Sequence, residues 1–252
     1  MHRFTCNICG SPCLVEALDR EIPSCKCGSN VRFRWIVHAV STHFFGKSLA
    51  LKQFPRAKHL RGLGLSDAVL FSELFSKRFS YENTCYDREP RFDISSPPRQ
   101  TTYNFVIASE VFEHIAPPVQ TAFDNLARLL KPDGVVFFSS PWETAGKTEE
   151  HFPNLHDWQL MKLRSSSMLV NRALDGHLET FENLVFHGGP GSTLEMRVFS
   201  REGLLQNCEA AGLDVQFAAD NPEIGVVWDP WSRGMILTRK ARLRERTPPA
   251  HR

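Results

Sequence analysis

The sequence lacks any long apolar run and any large excess of charge. No apolar run approaches the roughly 20 residues that a helix needs to cross a bilayer. The formal net charge is +2, so the chain as a whole has no strong electrostatic attraction for nucleic acid or for a membrane surface. We therefore expect no membrane insertion, and we expect nucleic acid to be a less favoured partner than a small molecule.

The sequence also lacks a cleavable signal before its first cysteines, because Cys6 follows Arg3 almost at once. Five of the seven cysteines lie within the first 27 residues, in one CxxC pair and one CxC pair with a single thiol between them. Without a secretion signal, such clustering favours metal binding over disulfides. The sequence thus predicts a cytoplasmic protein with a metal-binding amino-terminal module.

The spacing of these cysteines is typical of a zinc ribbon. Two short hairpins each present a pair of thiolates, and zinc prefers four thiolates in a tetrahedron. Cys13 is a spare thiol that could replace one ligand, and the alternative is a cluster of unrelated buried thiols. The predicted ligands of a structural Zn²⁺ are Cys6, Cys9, Cys25 and Cys27. We expect residues 1–45 to form this ribbon and a linking helix.

Two arginines with aromatic neighbours, Arg32 and Arg34, follow the ribbon directly. They could bind RNA by stacking and phosphate pairing, or they could dock the ribbon onto the rest of the protein. Docking is favoured because the basic residues are few.

The stretch from Tyr103 to Trp142 predicts a strand–helix–strand unit. Asn104–Ser109 is apolar and β-rich, a helix with one apolar face follows, and Val135–Ser139 is a second buried strand. The two strands should be parallel with a right-handed crossover. Polar residues follow the first strand, where open α/β sheets bind ligands. They are Ser109, Glu110, Glu113 and His114.

A glycine turn lies nearer the amino terminus, where Gly62 and Gly64 separate a short strand from an apolar helical stretch. Such a turn lets a nucleotide approach backbone amides at a helix start, although two glycines also suit an ordinary tight turn. Asp87 lies roughly 20 residues further on, where an acid that binds ribose hydroxyls is expected. Asp93 could bond an adenine amino group. Either acid could instead be a solvated loop residue.

The order of these parts resembles a class I S-adenosylmethionine-dependent methyltransferase of the small-molecule branch. The resemblance is carried by SExxEH at Ser109–His114 and LLKPxG at Leu129–Gly134, and it covers roughly residues 57–240. The ribbon ending in CGSxxR, at Cys27–Arg32, is similar to a group of bacterial methyltransferases. The sequence departs from the family pattern at Leu60, where an acid is usual, and at Ser66, where a third glycine is usual.

The resemblance implies an α/β, Rossmann-like, mostly parallel seven-stranded sheet flanked by helices over residues 46–240. A basic, disordered tail is expected over residues 241–252. A lid-like helix is predicted between Met161 and Asp175. The residues that match cofactor-binding positions are Gly62, Gly64, Asp87, Asp93, Ser109 and Glu110.

The function implied is methyl transfer from S-adenosylmethionine to a small-molecule or sugar-containing acceptor. A hydroxyl or amine acceptor must lose a proton, and His114 is a candidate base, although a histidine there could instead brace the loop. His151 is a second candidate base or an acceptor contact. Two alternatives stay open: an RNA methyltransferase that reads through the ribbon, and a cofactor-free binding module suggested by Leu60 and Ser66.

Overall fold

The computed structural model describes residues 1–97, 101–143, 146–164, 166–187 and 193–240. The predicted tail over residues 241–252 lies outside these ranges. Among the described residues, no helix is long and apolar enough to cross a membrane.

Sixteen strands and four α-helices are present in the described ranges. The strands are β1 (His2–Thr5), β2 (Pro12–Val15), β3 (Ala57–Leu65), β4 (Phe79–Thr84), β5 (Tyr103–Ser109), β6 (Leu130–Ser139), β7 (Trp142–Glu143), β8 (Glu149–Glu150), β9 (Asp157–Lys162), β10 (Ser167–Arg172), β11 (Leu178–Phe181), β12 (Phe186–His187), β13 (Thr193–Leu194), β14 (Arg197–Ser200), β15 (Leu213–Phe217) and β16 (Met235–Arg239). The helices are α1 (Val31–Phe45), α2 (Val69–Arg78), α3 (Gln120–Leu129) and α4 (Arg201–Ala210). Single 3₁₀ turns lie at Leu51–Gln53, Phe112–His114 and Pro222–Ile224.

A mixed sheet forms the centre of the molecule, with the strand order β15-β16-β6-β5-β3-β4. The pairs β3–β4, β3–β5 and β5–β6 are parallel, whereas β16 is antiparallel to both β6 and β15. Five strands therefore run in one direction and β16 runs against them. The mostly parallel, Rossmann-like arrangement agrees with the sequence prediction.

The predicted count of seven strands is wrong for the described residues, which place six strands in this sheet. After β4, the described chain makes only an isolated parallel bridge between Cys85 and Arg91. Pro90 has no N–H to donate to a ladder, and its carbonyl instead accepts the Cys85 N–H within the same loop. The loop thus turns back on itself before a strand can form.

Alternate residues of the central strands face two separate apolar layers. On β5, Val106 and Ala108 pack with α3 and α4, whereas Phe105 and Ile107 pack with α1 and α2. This alternation follows from the two-residue period of a strand. Apolar side chains on both faces explain why β5 has a nearly continuous apolar sequence.

The amino-terminal hairpin β1–β2 belongs to the same apolar layer as α1. Phe4 and Cys6 are buried in one cluster with Trp35 and Phe105. Helix α1 begins at Val31, where the Asn30 side chain accepts the N–H of Phe33 and caps it. The predicted boundary after residue 45 therefore does not coincide with a break in packing.

Arg34 shows how closely this module is docked. Its side chain is fully buried, and Nη2 donates to the carbonyl oxygen of Gly225 over 2.7 Å. A buried guanidinium cannot contact RNA, so the docking interpretation holds for this residue.

Within the residues that the structure describes, no helix forms in the lid-like segment predicted over Met161–Asp175. Strands β9 (Asp157–Lys162) and β10 (Ser167–Arg172) instead pair antiparallel, and β11 adds a third strand beside β10. Leu169 is buried there with Phe152, Leu194 and Met196. These partners come from distant parts of the chain, so tertiary packing decides the local structure.

Gly62 is a position at which the packing of the sheet can be tested. It lies in register with Phe105 on one side and with Tyr81 on the other. The two rings stack with centroids 5.8 Å apart, and a Cβ on Gly62 would overlap the Phe105 ring. We expect Gly62→Ala to lower the free energy of unfolding by about 1–3 kcal/mol, as overpacking does. Urea denaturation measures this loss. The exposed His59→Ala on the same strand is the control, and an unchanged midpoint for Gly62→Ala would contradict the packing argument.

Candidate active site

The candidate site is built at the edge where β3, β5 and β6 end. The register pairs Gly64 with Ile107 and Ser109 with Ser139, so the carboxyl ends of these strands lie side by side. Ser66 and Glu110 follow β3 and β5 directly, and both have a left-handed backbone, with φ of 62° and 57°. This conformation is uncommon outside glycine. The chain therefore turns sharply after each of these two strands, at the same edge of the sheet.

The two predicted cofactor glycines lie within β3 rather than in the turn after it. A Cβ on Gly64 would collide with the Tyr81 hydroxyl and the Asp67 carboxyl. Close packing across the sheet accounts for both glycines in this structure. The turn itself is formed by Ser66 and Asp67.

Asp67 is a buried carboxyl at this turn, and it is not among the predicted site residues. It accepts a hydrogen bond from the Tyr81 hydroxyl, and its backbone N–H donates to Asn83 Oδ1 over 2.9 Å. Burial raises the pKa of Asp67 to about 7, although the Tyr81 hydrogen bond and the charge of Arg32 act in the opposite direction. The sequence feature that could have identified Asp67 is an acidic residue directly after the glycine turn.

Two arginines of the amino-terminal module reach the same edge. Arg32 Nη1 donates to Ser109 Oγ over 2.9 Å, and its other nitrogens bind both carboxylate oxygens of Glu21. Arg20 Nη1 donates to Glu110 Oε2 over 2.7 Å. Glu110 Oε1 accepts from Ser139 Oγ over 2.8 Å. No sequence signal linked these arginines to the strand ends.

The two predicted nucleoside-binding acids lie in the segment between β4 and β5. Asp87 is exposed. Asp93 is half-buried, and its Oδ1 accepts the backbone N–H of Ser95 over 2.8 Å. Its neighbours Phe92 and Ile94 are buried in the cluster that holds Leu65 and Ala108 near the ends of β3 and β5.

A second group of titratable side chains surrounds the predicted bases. His114 Nδ1 lies 2.9 Å from the carbonyl oxygen of Leu194, and its ring is 4.7 Å from the ring of His187. Glu195 bridges two histidines, at 2.7 Å from His187 Nε2 and 3.0 Å from His151 Nε2. His151 thus contacts this carboxylate directly, and His114 lies against its other partner, His187.

Glu113 is completely buried beside this group. Burial raises the pKa of Glu113 to about 8, and the nearby charge of Glu110 raises it further, while a hydrogen bond from Ser140 acts against the rise. The pKa of His114 is lowered by burial.

The four predicted zinc ligands come together at the amino-terminal end. The sulfur atoms of Cys6 and Cys27 are 3.8 Å apart, and those of Cys9 and Cys25 are 3.6 Å apart. Four Zn–S bonds of about 2.3 Å give a tetrahedron with edges of about 3.8 Å. All four are free thiols. The spare thiol of Cys13 contacts the carbonyl oxygen of Ser11 and also lies close to the Cys25 thiol, although it is not part of the group of four.

Two open clefts flank the sheet. One, of about 430 Å³, adjoins the candidate site through Arg20. Its other lining residues are Pro141, Trp142, Glu143, Val198, Asp229 and Trp231. The other cleft, of about 600 Å³, lies at the opposite ends of the strands, where Lys58, Ser80 and Lys131 line it.

A family model described as a methyltransferase domain matches residues 55–216. The match covers more than half of the chain and includes both turns of the candidate site. The chain belongs to this methyltransferase family. It is therefore an enzyme that transfers methyl groups.

The chain is distantly similar to solved structures of other methyltransferases. The chain is similar to a methyltransferase of Clostridium acetobutylicum (12% identity, 73% of this chain, 87% of that chain, TM-score 0.46). It is also similar to the amino pentose methyltransferase CalS10 of Micromonospora echinaspora (14% identity, 72% of this chain, 84% of that chain, TM-score 0.43). A third similar structure is the sugar N-methyltransferase KedS8 of Streptoalloteichus (12% identity, 92% of this chain, 98% of that chain, TM-score 0.47). No curated protein matches the sequence significantly.

Asp67 should make this methyltransferase less stable as the pH rises. Its folded pKa of about 7 exceeds the ordinary value of 3.8, so between these values the folded state binds more protons than the unfolded state. The free energy of unfolding then falls with rising pH, by about 4 kcal/mol over the whole window between these pKa values and by about 3 kcal/mol between pH 5 and pH 8. We expect Asp67→Asn to flatten this fall, as measured by urea denaturation at pH 5 and pH 8. The exposed Asp157→Asn is the control, and an equal fall in Asp67→Asn would contradict the assignment.

Proposed function

We propose that this methyltransferase takes the methyl group from S-adenosylmethionine and gives it to a small-molecule or sugar-containing acceptor. The observation that carries the proposal is the meeting of Arg32, Asp67 and Ser109 at adjacent strand ends. The methionine part of this cofactor has a carboxylate and an ammonium group, which are opposite in charge to the guanidinium and the carboxyl. When bound, the cofactor supplies a methyl group attached to a sulfonium sulfur. After the transfer, that sulfur is part of a neutral thioether, which is a good leaving group.

Arg32 is proposed to hold the methionine carboxylate, because a guanidinium forms strong charge-assisted hydrogen bonds with carboxylates. Asp67 and Glu110 would attract the ammonium group. Gly62 and Gly64 would act by keeping β3 close to its neighbours, so that the Ser66 turn ends at the correct edge. The adenine and ribose contacts predicted for Asp93 and Asp87 stay proposals.

The acceptor is proposed to lie in the 430 Å³ cleft. Its volume is that of a small-molecule site. Trp142 and Trp231 offer flat apolar faces, while Glu143 and Asp229 offer hydrogen-bond acceptors. Such a combination suits a sugar or another polar ring. Arg34, one of the two arginines that could have bound RNA, is fully buried, which argues against the RNA alternative.

The proton of the acceptor is proposed to leave through the histidines around Glu195. His114 and His151 are the candidate bases predicted from the sequence. His151 Nε2 lies 3.0 Å from Glu195 Oε1, a contact that orients its ring. A cytoplasmic location also stays a prediction.

Calorimetric titration with S-adenosylmethionine tests the cofactor assignment. We expect one site per chain, and Arg32→Met should weaken binding at least tenfold because the carboxylate loses its charged partner. Arg91→Met is the control, since Arg91 is exposed and packs over Tyr86. Melting temperatures of all three proteins separate lost binding from lost folding. A wild-type protein that binds no cofactor would support the cofactor-free alternative instead.

We further propose that Cys6, Cys9, Cys25 and Cys27 hold a structural Zn²⁺. Their sulfur spacing fits a tetrahedral ion, and four thiolates leave no open position for chemistry. The ion would fix the loop between the two cysteine pairs, which carries Arg20 and Glu21 to the strand ends.

Metal analysis of two cysteine variants tests this zinc site. Cys9→Ser should contain one zinc fewer per chain than the wild type and should bind S-adenosylmethionine more weakly. Cys13→Ser is the matched control from the same module and should keep its zinc. Equal zinc contents in Cys9→Ser and Cys13→Ser would contradict the assignment.

A further inference from the structure

A compact group of three potential metal ligands lies beside the candidate site, separate from the cysteines. Glu113, His114 and His187 each offer one ligand atom, and these atoms lie within 4.8 Å of one another. Glu113 and His114 belong to the turn after β5, and His187 belongs to β12. We propose that these three residues bind a divalent cation next to the proposed methyl-transfer site.

The hydrogen bond of His114 points its lone pair toward the cluster. A carbonyl oxygen can only accept, so the contact between His114 Nδ1 and the Leu194 oxygen places the proton on Nδ1. The neutral ring then has its lone pair on Nε2, which lies 3.8 Å from Glu113 Oε1. Tetrahedral bonds of about 2.1 Å place neighbouring ligand atoms about 3.4 Å apart, so a small inward shift of these two atoms would let one ion bind both.

His187 has the carboxylate partner that is common behind metal-bound histidines. Glu195 Oε2 lies 2.7 Å from His187 Nε2. Such an outer carboxylate fixes the ring and makes the other nitrogen a stronger ligand. The same carboxylate contacts His151 through Oε1, so one residue orients two rings.

Glu113 provides an independent reason to place a cation here. Its side chain is completely buried, and Oε2 accepts from Ser140 Oγ over 3.0 Å. Within the described part of the chain, Oε1 has no hydrogen-bond partner. An unsatisfied buried carboxylate oxygen is costly, and a cation on the His114 side would satisfy it.

The backbone around the cluster is held firmly. Met196 N–H donates to the Glu113 carbonyl over 2.8 Å, and the buried Arg197 donates to the Phe112 carbonyl over 2.7 Å. These bonds tie the turn after β5 to the segment that leads into β14. Fixed ligands lower the cost of binding an ion.

Two imidazoles and one carboxylate suit a first-row divalent ion such as Zn²⁺, with open positions that oxygen ligands can fill. If the proposed methyl transfer is correct, one of these ligands would be an acceptor oxygen. This consequence rests on the proposed function, whereas the cation site does not. An ion on His114 Nε2 would also exclude proton acceptance there, so His114 would act as a metal ligand in place of the predicted base.

Counting bound zinc tests the site without methyl transfer or cofactor. Wild type, His114→Ala and Glu113→Gln would be dialysed against the same micromolar free Zn²⁺, and the metal content per chain would be measured. His177→Ala is the control, because His177 is an exposed histidine with two carboxylate neighbours that could bind zinc adventitiously. Circular dichroism would verify that each variant folds.

We expect the wild type to hold one zinc more per chain than His114→Ala, and at least a tenfold weaker affinity at this site in Glu113→Gln. His177→Ala should match the wild type. Equal zinc contents in the wild type and both cluster variants would overturn the proposal. If His114→Ala does not fold, Glu113→Gln decides alone, since it keeps the shape of the buried side chain. Because only the difference in zinc content is read, the result does not depend on the cysteine site or on cofactor binding.

Discussion

The charges at the strand ends depend on arginines that the amino-terminal module supplies. Arg20 pairs with Glu110, and Arg32 lies close enough to Asp67 to lower its pKa. Removing a carboxylate from water costs several kcal/mol unless a partner compensates. The sheet alone would therefore present several poorly compensated acids at one edge. Docking of the ribbon and formation of the site are thus one event, which explains why the module shares an apolar layer with the sheet.

The framework of this edge could be predicted from local sequence. The apolar run of β5 and the helix and strand after it determine which residues follow the strand ends, because parallel strands of similar length end at one edge. Ser109, Glu110, Glu113 and His114 were found in this way. The contacts with Arg20 and Arg32 could not be predicted, since they join residues 90 and 77 positions apart. Such contacts depend on how the module docks, and no local period encodes that geometry.

Other differences have equally specific causes. Residues 161–175 have apolar positions that suit a helix, yet burial of Leu169 against Phe152 stabilises a hairpin. The glycines of β3 were predicted to approach a ligand, but the close neighbours in this structure are the Phe105 ring and the Tyr81–Asp67 pair. A glycine indicates that something comes near the backbone. It does not distinguish a ligand from a neighbouring side chain.

The two candidate metal clusters differ in chemistry, and the charge network connects them. Four thiolates form a closed set, whereas one carboxylate and two imidazoles form an open one. The loop between the cysteine pairs carries Arg20 to Glu110, and Glu110 acts electrostatically on both Glu113 and His187. If the ribbon were loosened, Glu110 would lose its cation, and the negative potential around Glu113 would rise. A stronger negative potential favours a divalent ion. Loss of the structural zinc should therefore weaken cofactor binding while leaving, or even increasing, the affinity of the second cluster, provided that the turn after β5 stays folded.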